Sequence, residues 1–186
     1  MGEPRPIGTL KARCPACGSG ELEITDYLYD APLVGLLLLS SGKCSVCGYK
    51  YSDIRMAEGG EPERVEVRVE GAEDLDILVI KSSTATLEMP ELGVKITPGP
   101  ASQGIITTIE GILHRVLEVL EVLCEDPSTS REECARRREE LEKAVRGEKP
   151  FTLVIVDPDG ASKVVRDEES KEKLYEALRA VEATRP

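Results

Sequence analysis

Cys14-Pro-Ala-Cys17-Gly18 and Cys44-Ser-Val-Cys47-Gly48 are one pattern written twice, with 26 residues between Cys17 and Cys44. Each C-x-x-C-G is a knuckle: a tight turn aims two sulfurs at one point, and the glycine removes a side chain where the backbone curls round an ion. Two knuckles supply the closed tetrahedral set of a structural zinc, with no open position for water or substrate. The expectation is one structural Zn2+ held by Cys14, Cys17, Cys44 and Cys47. Two disulfides would also use four cysteines, but they require no repeated knuckle. Residues 21–28, 33–40 and 49–55 have strand character, with a turn at Asp30-Ala31-Pro32. Residues 1–58 therefore read as a zinc ribbon, and removing the ion is expected to unfold 12–56 and spare the second domain.

Four of the five tyrosines, Tyr27, Tyr29, Tyr49 and Tyr51, fall in this short module together with the run Leu36 to Leu39. So small a ribbon has little interior to hide them. They either pack against the next domain or form an apolar patch that receives another protein. The candidate partner surface is Tyr27, Tyr29, Leu36, Leu38, Tyr49 and Tyr51.

Beyond the ribbon the pattern changes. Residues 57–62, Ala-Glu-Gly-Gly-Glu-Pro, have the composition of a domain junction. Strand-like segments follow at 64–70, 76–81, 84–89, 93–97, 151–156 and 162–166, separated by turn signals at 89–91, 98–100 and 157–160. This pattern predicts an antiparallel β-sandwich or jelly roll over 62–186. A helical hairpin at about 104–147 interrupts it. Residues 105–124 carry apolar side chains at helical spacing, opened by Thr107-x-x-Glu110 as a capping box, and read as a buried helix. Ser130-x-x-Glu133 caps a mostly charged surface helix, and 168–183 form a third. Cys124 ends the first hairpin helix and Cys134 lies in the first turn of the second, a spacing that allows a disulfide. The fold class is α+β, mainly β.

With 40% hydrophobic and 32% charged residues in 186, the chain has a globular composition. Its longest apolar run, 33–39, is far short of the roughly twenty residues of a membrane span, and 1–12 lacks a signal-peptide core. A soluble cytoplasmic protein is expected. Asn is absent and Gln103 is the sole glutamine, while Glu, Lys and Arg are abundant, a bias of proteins that work hot. The charge balance is −1 over 1–60, −8 over 61–166 and −2 over 167–186. That distribution opposes a nucleic-acid-binding ribbon, which would carry a basic excess. Arg136-Arg-Arg138 is flanked by glutamates and reads as a solvated face. The inventory for catalysis is poor. There is no phosphate-binding glycine loop, and the single histidine, His114, sits among apolar helix positions as a packed side chain. Lys81-Ser82-Ser83 is a polar group set against an apolar strand, which a strand end entering a turn explains equally well.

In order and spacing these motifs resemble those of the ZPR-type zinc-finger proteins, in their shorter archaeal branch. The resemblance is carried by the two knuckles, with Tyr49 after the second, and by Val79-Ile-Lys-Ser82, Met89-Pro-Glu-Leu92, Thr107-Thr-Ile-Glu-Gly111, Pro150-Phe-Thr-Leu153 and Asp157-Pro-Asp-Gly160. It implies a zinc ribbon followed by a double-stranded β-helix domain, jelly-roll-like, with an inserted helical hairpin. Eukaryotic relatives carry the unit twice and bind translation elongation factor 1-alpha, assisting its folding. The implied function is a non-enzymatic chaperone or assembly partner of that factor, with a zinc-ribbon nucleic-acid-binding or transcription-associated protein as the alternative.

Overall fold

A computed structural model describes residues 3–31, 34–58, 60–99 and 102–183. Among these, eleven strands form three antiparallel sheets, accompanied by three α-helices. The expected turn at Pro32, the start of the 33–40 segment and the end of the 98–100 turn signal lie outside the described residues.

The ribbon is a four-stranded meander, β1(Arg5–Arg13), β2(Glu21–Ala31), β3(Gly35–Cys44) and β4(Lys50–Met56), in the order β1-β2-β3-β4. Strand β1 was missed by sequence reasoning because Pro4, Pro6 and Gly8 argue for a loop. It survives as an edge strand, where proline needs to donate nothing to a second neighbour, and its register on β2 slips between Pro6 and Gly8. In β3 the leucine run resolves into alternation: Leu37 and Leu39 are buried, whereas Leu36 and Leu38 are half-buried.

The jelly-roll strands begin at Glu63. One sheet orders β5(Glu63–Val69), β10(Phe151–Asp157), β7(Thr86–Met89) and β8(Val94–Ile96), and the other orders β11(Lys163–Val165), β6(Leu78–Lys81) and β9(Ile105–Thr108). Strand β6 is the structural centre, with all four residues buried. Val79 faces the sandwich core with Leu87, Leu113, Phe151 and Ile155, and Leu78 and Ile80 face the other way into a second core. That second core is built from Tyr27, Tyr29, Leu37, Leu39 and Ile54 of the ribbon and Leu174, Ala177 and Val181 of α3(Glu168–Ala183). The ribbon strands end at Met56 and the jelly-roll strands begin at Glu63, yet both contribute to this core.

The hairpin consists of α1(Ile109–Cys124) and α2(Arg131–Val145). Residues 105–108, expected to open the first helix, are strand β9 instead, paired with β6 from Lys81↔Ile105 to Leu78↔Thr108. The β-branched run Ile105-Ile-Thr-Thr108 favours extended backbone, and the open edge of β6 supplies its hydrogen bonds. The N-cap is accordingly Thr108, whose hydroxyl accepts from the Gly111 N–H, and not Thr107. Ser130 caps α2 by accepting from Glu133 N–H. The first helix is also less buried than its periodicity implies. Ile109, Ile112 and Leu113 enter the core, but Val119, Val122 and Leu123 are more than half exposed because the hairpin projects past the jelly roll. Cys124 and Cys134 are joined in a disulfide at its tip, with Cα atoms 6.0 Å apart. His114, expected to be packed, is exposed, with Nε2 3.9 Å from Glu110.

Candidate metal centre

The two knuckles close the same end of the ribbon sheet, because β2 and β3 pair in register from Ala31↔Gly35 to Leu22↔Cys44. In the first, Gly18 N–H donates to Cys14 O at 2.9 Å and Cys14 N–H to Gly20 O at 2.9 Å. In the second, Gly48 N–H donates to Cys44 O at 3.1 Å and Cys44 N–H to Tyr49 O at 2.8 Å. Gly18 and Gly48 hold φ of 65° and 73°, and a Cβ at either would meet nothing within 4 Å. These glycines are therefore required for left-handed backbone and not, as expected from sequence, for clearance round the ion. Clearance is needed at Gly20, where a Cβ would lie 2.4 Å from the Cys44 sulfur.

The four Sγ atoms lie within 4.8 Å of one another, with Cys14 to Cys47 at 3.7 Å and Cys17 to Cys44 at 3.8 Å. A tetrahedral ion with Zn–S bonds of about 2.3 Å has sulfurs about 3.8 Å apart, which the Cys14–Cys47 and Cys17–Cys44 pairs match, so the donor set suits zinc. The electrostatics point the same way. The Ser19 and Gly20 N–H groups hold the Cys17 thiol down at about 6, and those of Cys47 and Val46 lower Cys44. The Tyr49 N–H pulls Cys47 down too, yet burial and the three neighbouring sulfurs push it up to about 12. Four thiolates this close repel one another, and a divalent cation removes the conflict. Cys14 and Cys44 are buried with Leu22 and Ile24, and Tyr49 and Tyr51 pack against them.

The candidate partner surface does not survive as a unit. Tyr27 and Tyr29 are 5% and 6% exposed, and the Tyr29 hydroxyl donates to the Lys173 carbonyl of α3 at 3.2 Å. They pack on β6 and α3 because a one-sheet ribbon can bury its inner face only against the neighbouring domain. Leu36, Leu38, Tyr49 and Tyr51 remain half-buried. Sequence reasoning missed Gln103, which ties the modules together. Its Oε1 accepts from Ser52 N–H at 3.1 Å, and its Nε2 donates to the Tyr49 hydroxyl at 2.8 Å. The absence of any other glutamine was the available signal.

Lys81 and Ser82, which the sequence presents as a strand end, are buried at 6% and 1% exposure. Ser82 N–H donates to Ser162 Oγ at 3.0 Å, and Asp157 accepts from Ser162 N–H at 2.7 Å, from Asp159 N–H at 2.9 Å and from Thr84. Burial pushes the Lys81 ammonium below the ordinary lysine value, with Asp157 and Asp53 pulling the other way.

A four-cysteine knuckle pair on a ribbon sheet, packed on a jelly roll, defines a zinc-finger-class protein. Residues 73–184 match the ZPR1 jelly-roll domain. The chain is 39% identical over 168 residues to a ZPR1-like protein of Pyrococcus horikoshii, covering 87% of this chain and 75% of that one. It is 34% identical over 176 residues to a ZPR1-like protein of Methanocaldococcus jannaschii, covering 89% of each. The zinc finger chaperone zpr1 of Schizosaccharomyces pombe is 33% identical over 166 residues, which is 84% of this chain and 35% of the chaperone. The chain belongs to the ZPR1 family, as an archaeal-type member with zinc-finger and chaperone relatives.

Proposed function

We propose that this chain is a non-enzymatic, zinc-stapled protein-binding module that assists the folding or assembly of elongation factor 1-alpha in the cytoplasm. One Zn2+ held by Cys14, Cys17, Cys44 and Cys47 serves as a cross-link that sets the ends of β2, β3 and β4, and takes no part in chemistry. The observation that carries the structural role is the sulfur set itself: four thiols gathered within 4.8 Å of one another are enough to fill every position of a tetrahedral ion. A relative named as a zinc finger chaperone supports the protein-binding role. The partner reading rests on the motif resemblance. Against a nucleic-acid role, Lys11 and Arg55 of the ribbon are paired with Glu21 and Asp53. No helix among the described residues is long and apolar enough to cross a membrane. Leu36, Leu38, Tyr49 and Tyr51 are the ribbon side chains still open enough to join such a contact.

The test is direct binding of the purified, zinc-loaded chain to purified elongation factor 1-alpha by calorimetry, with tRNA as the comparison ligand and the metal counted by elemental analysis. Saturable binding to the factor, little binding to tRNA at physiological salt, and one zinc per chain are the expected results. A chain that binds tRNA with a steep salt dependence and ignores the factor sinks the reading.

A further inference from the structure

Between the helical hairpin and the β7–β8 edge runs a groove of 960 Å3. Leu87, Ile112 and Leu141 line it from the core, and Val119 and Leu123 line it from the projecting half of α1, where they are 59% and 58% exposed. Its charge is the reverse of the molecule's. The chain carries 35 acidic against 24 basic residues, yet among the described residues no lining side chain is acidic and four are cationic: Lys81, Lys95, Arg115 and Arg137.

Two of these cations are already balanced, Lys95 by Glu88 at 2.8 Å and Arg137 by Glu133 at 2.9 Å. Lys81 and Arg115 have no carboxylate within ion-pair distance among the described residues. Lys81 donates one hydrogen bond, to the carbonyl of its neighbour Ser82 at 2.9 Å, from an ammonium with three protons to give. Asp157 and Asp53 act on Lys81 only from beyond ion-pair distance; a buried cation without a carboxylate in contact is costly, and the cost is relieved when one arrives. Uncovered Val119 and Leu123 gain by leaving water in the same event.

We propose that this groove receives an acidic, leucine-rich segment of a client polypeptide, whose apolar side chains cover Val119 and Leu123 and whose carboxylates meet Lys81 and Arg115. This assignment rests on the protein-binding reading above and gives that reading a second surface, beside the ribbon, whose Ser52 reaches the groove. A fatty acid presents the same two chemistries, so the test includes one.

The probe is a fluorescein-labelled amphipathic peptide of Leu and Glu, about 15 residues long so that it forms helix on binding. A second peptide carries Lys in place of every Glu. Anisotropy titrations use the full zinc-loaded chain. Net charge of −11 favours the Lys peptide, so a preference for the Glu peptide of about tenfold or more isolates the groove from the overall field. The exposed double change Val119→Glu with Leu123→Glu, and separately Lys81→Met, should each weaken the Glu peptide about tenfold or more. The double variant should melt near wild type and keeps the test decisive even if the buried Lys81→Met change does not fold. Preference for the Lys peptide, unchanged binding by the double variant, or stoichiometric binding of palmitate without binding of the peptide overturns the assignment. If the double variant still binds elongation factor 1-alpha as wild type does, the groove assignment alone falls. If wild type binds neither the factor nor the Glu peptide, both readings fall.

Discussion

Asp157 shows how one buried carboxylate organises the end of the jelly roll. It is 1% exposed and is met by the N–H groups of Asp159 and Ser162 and by the Thr84 hydroxyl. Burial alone would raise its pKa, but the hydrogen bonds from Ser162, Asp159 and Ser82 outweigh it, and the carboxyl stays below the usual aspartate value. Its stabilising effect is therefore complete above the unfolded value of about 3.9 and is lost as pH falls through the lower folded value. Asp157→Asn replaces an acceptor oxygen with a donor that faces other donors. A destabilisation of about 1–3 kcal/mol is expected at pH 7, read by urea denaturation. The difference from wild type should shrink towards pH 3, and a constant difference across that range would show that the charge is not what matters.

At the level of elements, the hairpin is anchored at its base and exposed at its tip, where Val119, Val122 and Leu123 are open to solvent. Its buried contacts with the core come from Ile109, Ile112 and Leu113 at one end of α1 and from Leu141 and Ala144 near the end of α2, with Val116, Leu117, Leu120 and Val145 packed against them partly buried. Between them the tip is tied by the Cys124–Cys134 link and by exposed pairs such as Arg138 with Glu121 at 3.3 Å. Exposed ion pairs contribute about 0–1 kcal/mol each, so the covalent link dominates. Closing a loop of ten residues is worth about 2–3 kcal/mol in the chain-entropy account. Intact-mass measurement with alkylation should find the two thiols protected until reductant is added. Reduction should then speed amide exchange around 117–135 while leaving β10 and β6 protected. If exchange at the tip is unchanged on reduction, packing and not the link orders the hairpin.

The molecule as a whole is less divisible than its linear layout. Leu78 and Ile80 of β6 belong to the same core as Tyr27, Tyr29, Leu37 and Leu39, while Cys14, Leu22, Ile24 and Cys44 form a separate small core at the metal end. Removing zinc should accordingly not unfold all of 12–56, the outcome that the linear layout suggests. Chelation is expected to expose 13–22 and 43–51, with amides of 27–30 and 36–39 remaining protected by β6 and α3. Hydrogen exchange with and without chelator measures this, and uniform loss over the ribbon would mean that the shared core contributes little.

The four-cysteine cluster was legible in the sequence because its chemistry is local: two thiols per knuckle are set by four consecutive residues, and repetition marks the pair, whereas the reason for each following glycine, its left-handed backbone, came from the structure. The order of most strands, the second hairpin helix and α3 were legible for the same reason, since periodicity, caps and turns act over a few residues. The helix start at Ile109 was not, because residues 105–108 satisfy either period and the open edge of β6, about 25 residues away in the chain, selects the strand. Tertiary structure also decided the fate of the tyrosines. Tyr27 and Tyr29 have no local signal for burial, and they are inside because β6 presents apolar side chains on both faces. Alternating side chains of one central strand must each find a cover, and only the assembled fold specifies that the ribbon supplies one of them.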